Sequence, residues 1–219
     1  MQGLIIENKA NLYKIKLGDI NYIATARGKF KNDSFTPVVG DIAEFSIVDE
    51  NKKTAVIESV KERVSYIKRP KLANINQIVF VVSSKHPKPD LLLLDKQLAF
   101  AEFLHIKPVI VLNKIDLDDK HEFLNIQKIY EEIGYKVIQT DAKNGIGIEE
   151  ILLELKNNIS AFAGNSGVGK STLINDLFKE NVTQEGEISQ KNKRGKNTTT
   201  DISYYESVWL TLFFVVIQL

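Results

Sequence analysis

Residues 162–172 read Phe-Ala-Gly-Asn-Ser-Gly-Val-Gly-Lys-Ser-Thr, and no other stretch limits the possible folds so tightly. Gly164, Gly169, Lys170 and Ser171 satisfy G-x-x-x-x-G-K-[ST], with Asn165, Ser166, Gly167 and Val168 between them and Thr172 following. Such a loop turns its backbone N–H groups inward around a phosphate, and a Cβ at the glycine positions blocks that curl. An apolar strand end precedes it, and a helix with Leu173, Ile174, Leu177 and Phe178 on one face follows. The positive end of that helix adds about 0.3–2 kcal/mol for a bound anion. Lys170 is placed for the β- and γ-phosphates and the Ser171 hydroxyl for Mg²⁺. The competing reading, a glycine-rich turn with a chance lysine, lacks the strand-in, helix-out setting. The stretch therefore predicts binding of a nucleoside phosphate.

A chain of 219 residues has room for one large domain or two small ones. It has no cysteine, which excludes disulfides and thiolate metal sites and suits a reducing compartment. The N-terminus lacks the pattern of a signal peptide, and no apolar run reaches the ~18 residues of a membrane span. His86, His105 and His121 show no metal-ligand spacing. The net charge is +1, but the first seventy residues carry 12 Lys/Arg against 9 Asp/Glu, a weak hint of a polyanion partner there.

Residues 1–68 are dominated by short alternating runs. Tyr13, Ile15 and Leu17 face one way and Lys14 and Lys16 the other, and residues 20–26, 42–48 and 54–60 repeat the period of two. Turn signals separate the runs. About five strands without a helical period predict a small closed β-barrel such as an OB-fold. Arg27, Lys29, Phe30 and Lys31 are the candidates for a nucleic-acid face, against the alternative of a hairpin with solvated charges.

Beyond Pro70 the period changes. Residues 77–82 form a continuous apolar run, as a strand buried on both faces requires. Leu91, Leu94, Leu98, Ala101 and Phe103 then predict a helical face. A second buried strand, 108–112, delivers Asn113-Lys114-Ile115-Asp116 at its carboxyl end, where open α/β sheets bind ligands. The Asp116 carboxylate can accept both N1–H and the exocyclic amine of guanine, whereas adenine leaves it unpaired at a cost of ~1–3 kcal/mol. Asn113 can bridge base and phosphate loop, and the Lys114 stem can lie over the ring. The alternative makes Asp116 a helix N-cap. A helix over 120–133 and a strand over 135–139 lead to Thr140-Asp-Ala-Lys143, the place for a second base-binding loop, with Ala142 and Lys143 as its carried-over residues and Asp141 where serine is usual. A helix over 148–156 and a strand at 160–163 return the chain to the phosphate loop. Gly164 follows Asn113 by 51 positions, the reverse of the ordinary GTPase order, so the reading is a circularly permuted GTPase domain.

These motifs resemble those of the ribosome small-subunit biogenesis GTPases (RsgA, also called YjeQ). The resemblance covers roughly residues 3–206. It rests on Arg27-Gly-Lys29, Val39-Gly-Asp41, Arg69-Pro70, Ala73-Asn74, the 109–116 strand and motif, the 164–172 loop and Thr198-Thr-Thr200. It implies an OB-fold over 1–68 that contacts ribosomal RNA and a permuted P-loop GTPase domain over 71–206. It further implies GTP hydrolysis stimulated by the small subunit, a late role in that subunit's maturation, and GTP/GDP and Mg²⁺ as ligands. On this reading the chain is a cytoplasmic monomer without membrane attachment. Thr200, with Thr199 second, is the switch threonine that joins Ser171 on Mg²⁺. Lys170, Thr200 and Asn197 are the catalytic candidates, Asn197 standing where the family usually has a water-orienting histidine. Lys191, Lys193, Arg194 and Lys196 mark a polar segment read as mobile without its ligand.

The family pattern is not followed at the end. Residues 207–219 are an apolar tail, no Asp-x-x-Gly occurs, and the cysteines of the family's C-terminal zinc domain are absent. The tail is expected either to fill a vacant central strand position or to be a truncated or frame-shifted end, with truncation preferred. Two rival functions follow: a non-hydrolysing guanine-nucleotide and RNA-binding module, and a P-loop ATPase or kinase, the latter opposed by Asn113–Asp116 chemistry.

Overall fold

The computed structural model of the chain describes residues 1–9, 11–28, 36–119, 122–183 and 213–216. They divide into two compact units, one running Met1–Ile75 and the other beginning at Asn76.

The first unit is a barrel of β1 (Gln2–Lys9), β2 (Leu12–Leu17), β3 (Ile20–Ala26), β4 (Ile42–Asp49) and β5 (Thr54–Val60). It closes in the order β1-β2-β3-β5-β4, with β4 pairing back onto β1. The alternation seen in the sequence is the pleat: Tyr13 and Ile15, Tyr22 and Ala24, Ala43 and Phe45, Ala55 and Ile57 all point into one core with Ile5. Closure removes the free strand edges that a five-stranded sheet otherwise presents. Because β3 pairs with β2 and β5 and not with β4, Arg27 and Gly28 open a long connection rather than a hairpin. Arg27 pairs there with Glu58 on β5 at 2.8 Å. Lys29, Phe30 and Lys31 lie outside the described residues.

A buried ion pair holds the chain that returns from this connection. Asp41 is fully buried and accepts from the Val38 N–H at 2.7 Å. Arg63 meets the same carboxylate with Nε and Nη2, both at 2.8 Å, and its guanidinium stacks 4.5 Å from the Tyr66 ring centroid. Two short strands, β6 (Tyr66–Lys68) and β7 (Lys71–Ala73), then pair as a hairpin. Asn74, in the left-handed region at φ 57°, accepts from the Val64 N–H and donates to the Gly40 carbonyl, each at 2.8 Å. That residue ties the hairpin exit to the Val39-Gly-Asp41 turn.

The second unit alternates strands and helices. β8 (Gln77–Ser83), α1 (Leu91–Phe103), β9 (Lys107–Asn113), α2 (Glu122–Ile133), β10 (Lys136–Thr140), α3 (Ile148–Leu155), β11 (Ile159–Ala163), α4 (Lys170–Thr183) and β12 (Phe213–Val216) follow one another. The sheet is parallel throughout, in the order β10-β9-β8-β11-β12. β8 is covered on both faces, which is why it reads as an unbroken apolar run. The chain steps outward from β8 to β9 to β10 and then returns to the other side of β8 as β11. That reversal opens a crevice at the carboxyl ends of β8 and β11.

Two expectations need correction in detail. On α1, Leu94, Leu98 and Ala101 are buried as read, but Phe103 is 79% exposed and Gln97 is buried in its stead. At 100° per residue Phe103 lies some 200° from Ala101, off the inner face. In the tail, residues 213–216 form β12, hydrogen-bonded in parallel to the phosphate-loop strand with Ile159 opposite Phe213 and Phe162 opposite Val216. This segment does pair as a strand, but at the edge of the sheet beside β11 and not at the central position expected, and the rest of 207–219 lies outside the described residues.

Arg63→Met leaves Asp41 buried without its counter-charge. It is expected to destabilise the barrel by about 3–5 kcal/mol, read as a lowered denaturation midpoint. A loss below about 1 kcal/mol would show that the pair does not hold the barrel's closing turn.

Candidate nucleotide-binding site

The phosphate loop leaves β11 at the crevice, and its glycines are required by geometry. Gly164 (φ 146°), Gly167 (φ 82°) and Gly169 (φ 101°) all have positive φ. A Cβ on Gly164 would lie 2.3 Å from the Val81 carbonyl of β8, and one on Gly169 would lie 2.2 Å from Asn113 Nδ2. The loop is therefore pressed between β8 and the Asn113 side chain, and it curls as a phosphate cradle must. α4 begins at Lys170, with the Leu173 N–H donating to the Gly169 carbonyl at 2.9 Å. Leu173, Ile174 and Leu177 anchor that helix in the core. Lys170 Nζ donates to the carbonyls of Gly164 (2.6 Å) and Asn165 (3.0 Å), which holds the ammonium over the loop. Burial pushes this amine below the ordinary lysine range, a penalty that a phosphate dianion would relieve. Ser166 and Gly167 are exposed, Val168 is buried, and Ser171 and Thr172 are exposed in the first turn of α4.

The second motif meets this loop through one side chain. Asn113, at the end of β9 and 1% exposed, donates from Nδ2 to the Val168 carbonyl at 2.9 Å. Its Oδ1 accepts from Thr140 Oγ1 (3.0 Å) and from the Ala142 N–H (3.2 Å). One buried amide thus joins three segments: its own strand end, the phosphate loop and the 140–143 loop. Lys114 adopts the left-handed conformation at φ 65° and sends Nζ to the carbonyls of Gly167 (2.6 Å) and His86 (2.7 Å). Its stem consequently crosses the face of the site. Ile115 opens a short 3-10 turn, Ile115–Leu117, and Asp116 on that turn is exposed. Among the described residues Asp116 has no hydrogen-bond or ion-pair partner. The capping role is taken by Asp118 instead, which accepts from the N–H groups of Glu122 and Phe123 at 3.0 and 2.9 Å. The carboxylate of Asp116 is not used as a cap.

The third segment is shaped by the residue that departs from the family pattern. Asp141, 2% exposed, accepts from the Lys143 N–H at 3.1 Å and the Asn144 N–H at 3.3 Å, an Asx turn. Gly147 (φ 79°) lets the chain pass so close that a Cβ would sit 2.3 Å from the Gln139 carbonyl. Asp141 thus makes locally, and more strongly, the turn that a serine hydroxyl also makes, next to the Ala142 N–H that meets Asn113.

Nucleotide chemistry fits these residues: a glycine cradle, a charged amine, a free carboxylate and an exposed serine hydroxyl at the helix start. Lys170 and the loop amides would hold the phosphates and Ser171 would supply one oxygen to Mg²⁺. Asn197, Thr199, Thr200 and the basic run 191–196 lie outside the described residues, as does His121. Among the described residues no cluster of three or more His, Asp or Glu could hold a metal ion. No helix among them is long and apolar enough to cross a membrane. Sequence reasoning missed the Lys114 bridge to His86 and the buried Gln97 beside the loop. No local signal marks either.

A parallel sheet carrying base-reading loops before the phosphate loop, preceded by a closed barrel, defines a circularly permuted P-loop GTPase. The chain belongs to the RsgA GTPase family: the model of the RsgA GTPase matches residues 60–208 and that of the RsgA N-terminal domain residues 2–57. It is 40% identical over 205 residues to the small ribosomal subunit biogenesis GTPase RsgA of Caldanaerobacter subterraneus subsp. tengcongensis, covering 93% of this chain and 68% of that protein. Identity to the protein of the same name from Ruminiclostridium cellulolyticum is 40% over 199 residues, 90% of this chain and 65% of the relative. The chain therefore spans about two thirds of the length of these relatives. Among solved structures, YjeQ from Thermotoga maritima superposes with a TM-score of 0.81 at 29% identity, covering 99% of this chain and 74% of that one. YloQ, a circularly permuted GTPase, gives 0.68 at 31% identity, covering 80% and 63%.

Gly169→Ala is expected to displace Asn113 and to lower GDP affinity by about 100-fold, from two lost buried hydrogen bonds and left-handed strain of ~1 kcal/mol each. Titration calorimetry reads this directly. Affinity within about threefold of wild type would mean that Asn113 does not clamp the loop.

Proposed function

We propose that this chain binds guanine nucleotides at the site described and hydrolyses GTP as a factor in maturation of the small ribosomal subunit. The observation that carries the reading is Asn113, whose amide links its own strand end, where Lys114–Asp116 follow, to the phosphate loop and to the 140–143 loop. Asn113, Lys114, Ile115, Asp116, Ala142 and Lys143 surround the base, and residues 164–172 hold the phosphates. Ser171 and Thr200 are the Mg²⁺ ligands, and Lys170, Thr200 and Asn197 act on the γ-phosphate side. Membership in the RsgA family and the names of the relatives support the assembly role.

Lys170 neutralises charge that builds on the phosphate oxygens, while the loop N–H groups supply fixed dipoles that need no reorganisation. Asp116 accepts two protons that only guanine presents on that edge, so adenine is rejected by an unpaired, desolvated carboxylate. An Asn197 amide can orient a water molecule by hydrogen bonding but cannot remove its proton near neutral pH. Hydrolysis then depends on positioning and charge stabilisation rather than on a side-chain base.

A second reading is guanine-nucleotide binding without turnover. Phosphate release from GTP, with and without small subunits, decides between the two. GDP binding measured against ADP tests the reading common to both, and GDP binding without ADP binding is the expected result. Asp116→Asn should lose GDP and gain xanthosine diphosphate, because the new amide donates to the xanthine carbonyl where guanine has an amine. A variant that keeps its preference for GDP would remove Asp116 from the base site.

The barrel is proposed as the RNA-contacting part, over residues 1–68, with Arg27, Lys29, Phe30 and Lys31 on its contact face; the permuted GTPase domain then runs over 71–206. Replacing Arg27, Lys29 and Lys31 together by alanine should weaken binding to small subunits and flatten its dependence on salt by roughly three counterions. An unchanged salt slope would place the contact elsewhere.

A further inference from the structure

We infer that Gln97 is a positioning residue for the phosphate loop, acting through a buried water held in the cleft between α1 and that loop. The inference rests on the guanine-nucleotide reading of the site.

Gln97 sits on the inner face of α1 with Leu94, Leu98 and Ala101, at 8% exposure. Among the described residues its Nε2 is the one buried side-chain polar atom without a hydrogen-bond partner. Buried amides are otherwise satisfied here: Gln77, fully buried on β8, accepts from Ser160 Oγ at 2.6 Å and donates to the Glu154 side chain at 3.1 Å. A buried donor left unpaired is a standing penalty that folded proteins avoid or relieve with water.

The surroundings supply the means of relief. Gln97 lines a cleft with Val81, Ser83, Leu94, Gly164 and Asn165, at the sheet's reversal point. Its volume is about 20 Å³, room for one or two water molecules and for nothing larger. A water there has an amide donor on the α1 side, with Ser83 and Asn165 among the residues of the other walls. Ser83 Oγ already donates to the Pro87 carbonyl at 2.7 Å, so toward a water it can act only as an acceptor. The far wall is the functional one: Gly164 and Asn165 are the residues whose carbonyls hold Lys170 Nζ. A water spanning the cleft therefore fixes the backbone that cradles the phosphate-binding amine, and α1 becomes a support for the loop as well as a cover for the sheet.

The test uses Gln97→Met, which keeps length and volume and removes the donor. GDP and GMP affinities are compared, because the β-phosphate engages the loop while the base and ribose report the rest of the site. The expected result is a roughly five- to tenfold fall in the GDP-to-GMP affinity ratio, the equivalent of one hydrogen bond, with GMP affinity unchanged and a melting temperature at or above wild type. A high-resolution crystal structure of the wild-type chain should show ordered density within hydrogen-bond distance of Gln97 Nε2. Equal losses for GDP and GMP, no loss at all, or a dry cleft overturns the inference. If Gln97→Met does not fold, the crystal structure decides alone. A wild-type chain that fails to bind GDP refutes the guanine-nucleotide reading in its own arm of the experiment, and this inference falls with it.

Discussion

One carboxamide, that of Asn113, carries more of the site than any other group. Its donor and acceptor ends are both committed, to the Val168 carbonyl on one side and to Thr140 and Ala142 on the other. No other uncharged side chain of that length offers a donor and an acceptor at once, so the position cannot be filled by Asp or Leu without breaking a buried bond. The close pass of Gly169 follows from the same contact, since any side chain there would occupy the space of the amide. The 113–116 and 164–172 motifs are thus separate in sequence and joined at one atom group. Lys114 repeats the link on the exposed side through Gly167 and His86.

The two units reach stability by different means. The barrel hides its strand edges by closure, and the turn completing it depends on a charge pair withdrawn from water, Asp41 with Arg63. The parallel sheet instead buries β8 on both faces and leaves polar chemistry to the strand ends. The reversal of strand order beside β8 is what gives the phosphate loop its crevice. Moving the chain ends from one loop to another changes none of these strand neighbours, which is why a parallel sheet tolerates the permuted order.

Much of this was legible in the chain, and the pattern of success is physical. Motifs that act within ten residues, such as 164–172 and 113–116, carry their geometry in their glycines and turn residues. The period of two announced the barrel strands, although the buried set had to be seen in the folded chain to include Ile5. What escaped were relations between distant residues: Asp41 with Arg63, Asn74 with Gly40, Lys114 with His86. Gln97 escaped for another reason, because a polar residue at a core position is indistinguishable from a surface one until the helix phase is known. Phe103 was the converse case, an aromatic counted toward a face that it does not share. Asp118 took the capping role weighed for Asp116, and only Leu117 separates the two residues in the chain.

The Asn113 contact also has a direction in time. Its partner Val168 lies 55 positions later in the chain, which at ~5–20 residues per second is an interval of roughly 3–11 s during synthesis. Throughout that interval the 113–116 segment exists on the ribosome with at least half of the Asn113 amide unpaired, since Thr140 and Ala142 also follow it in the chain. In the ordinary order the phosphate loop waits for the base reader. Here the base reader waits for the phosphate loop, and a nascent chain becomes competent for nucleotide only once α4 has begun to emerge.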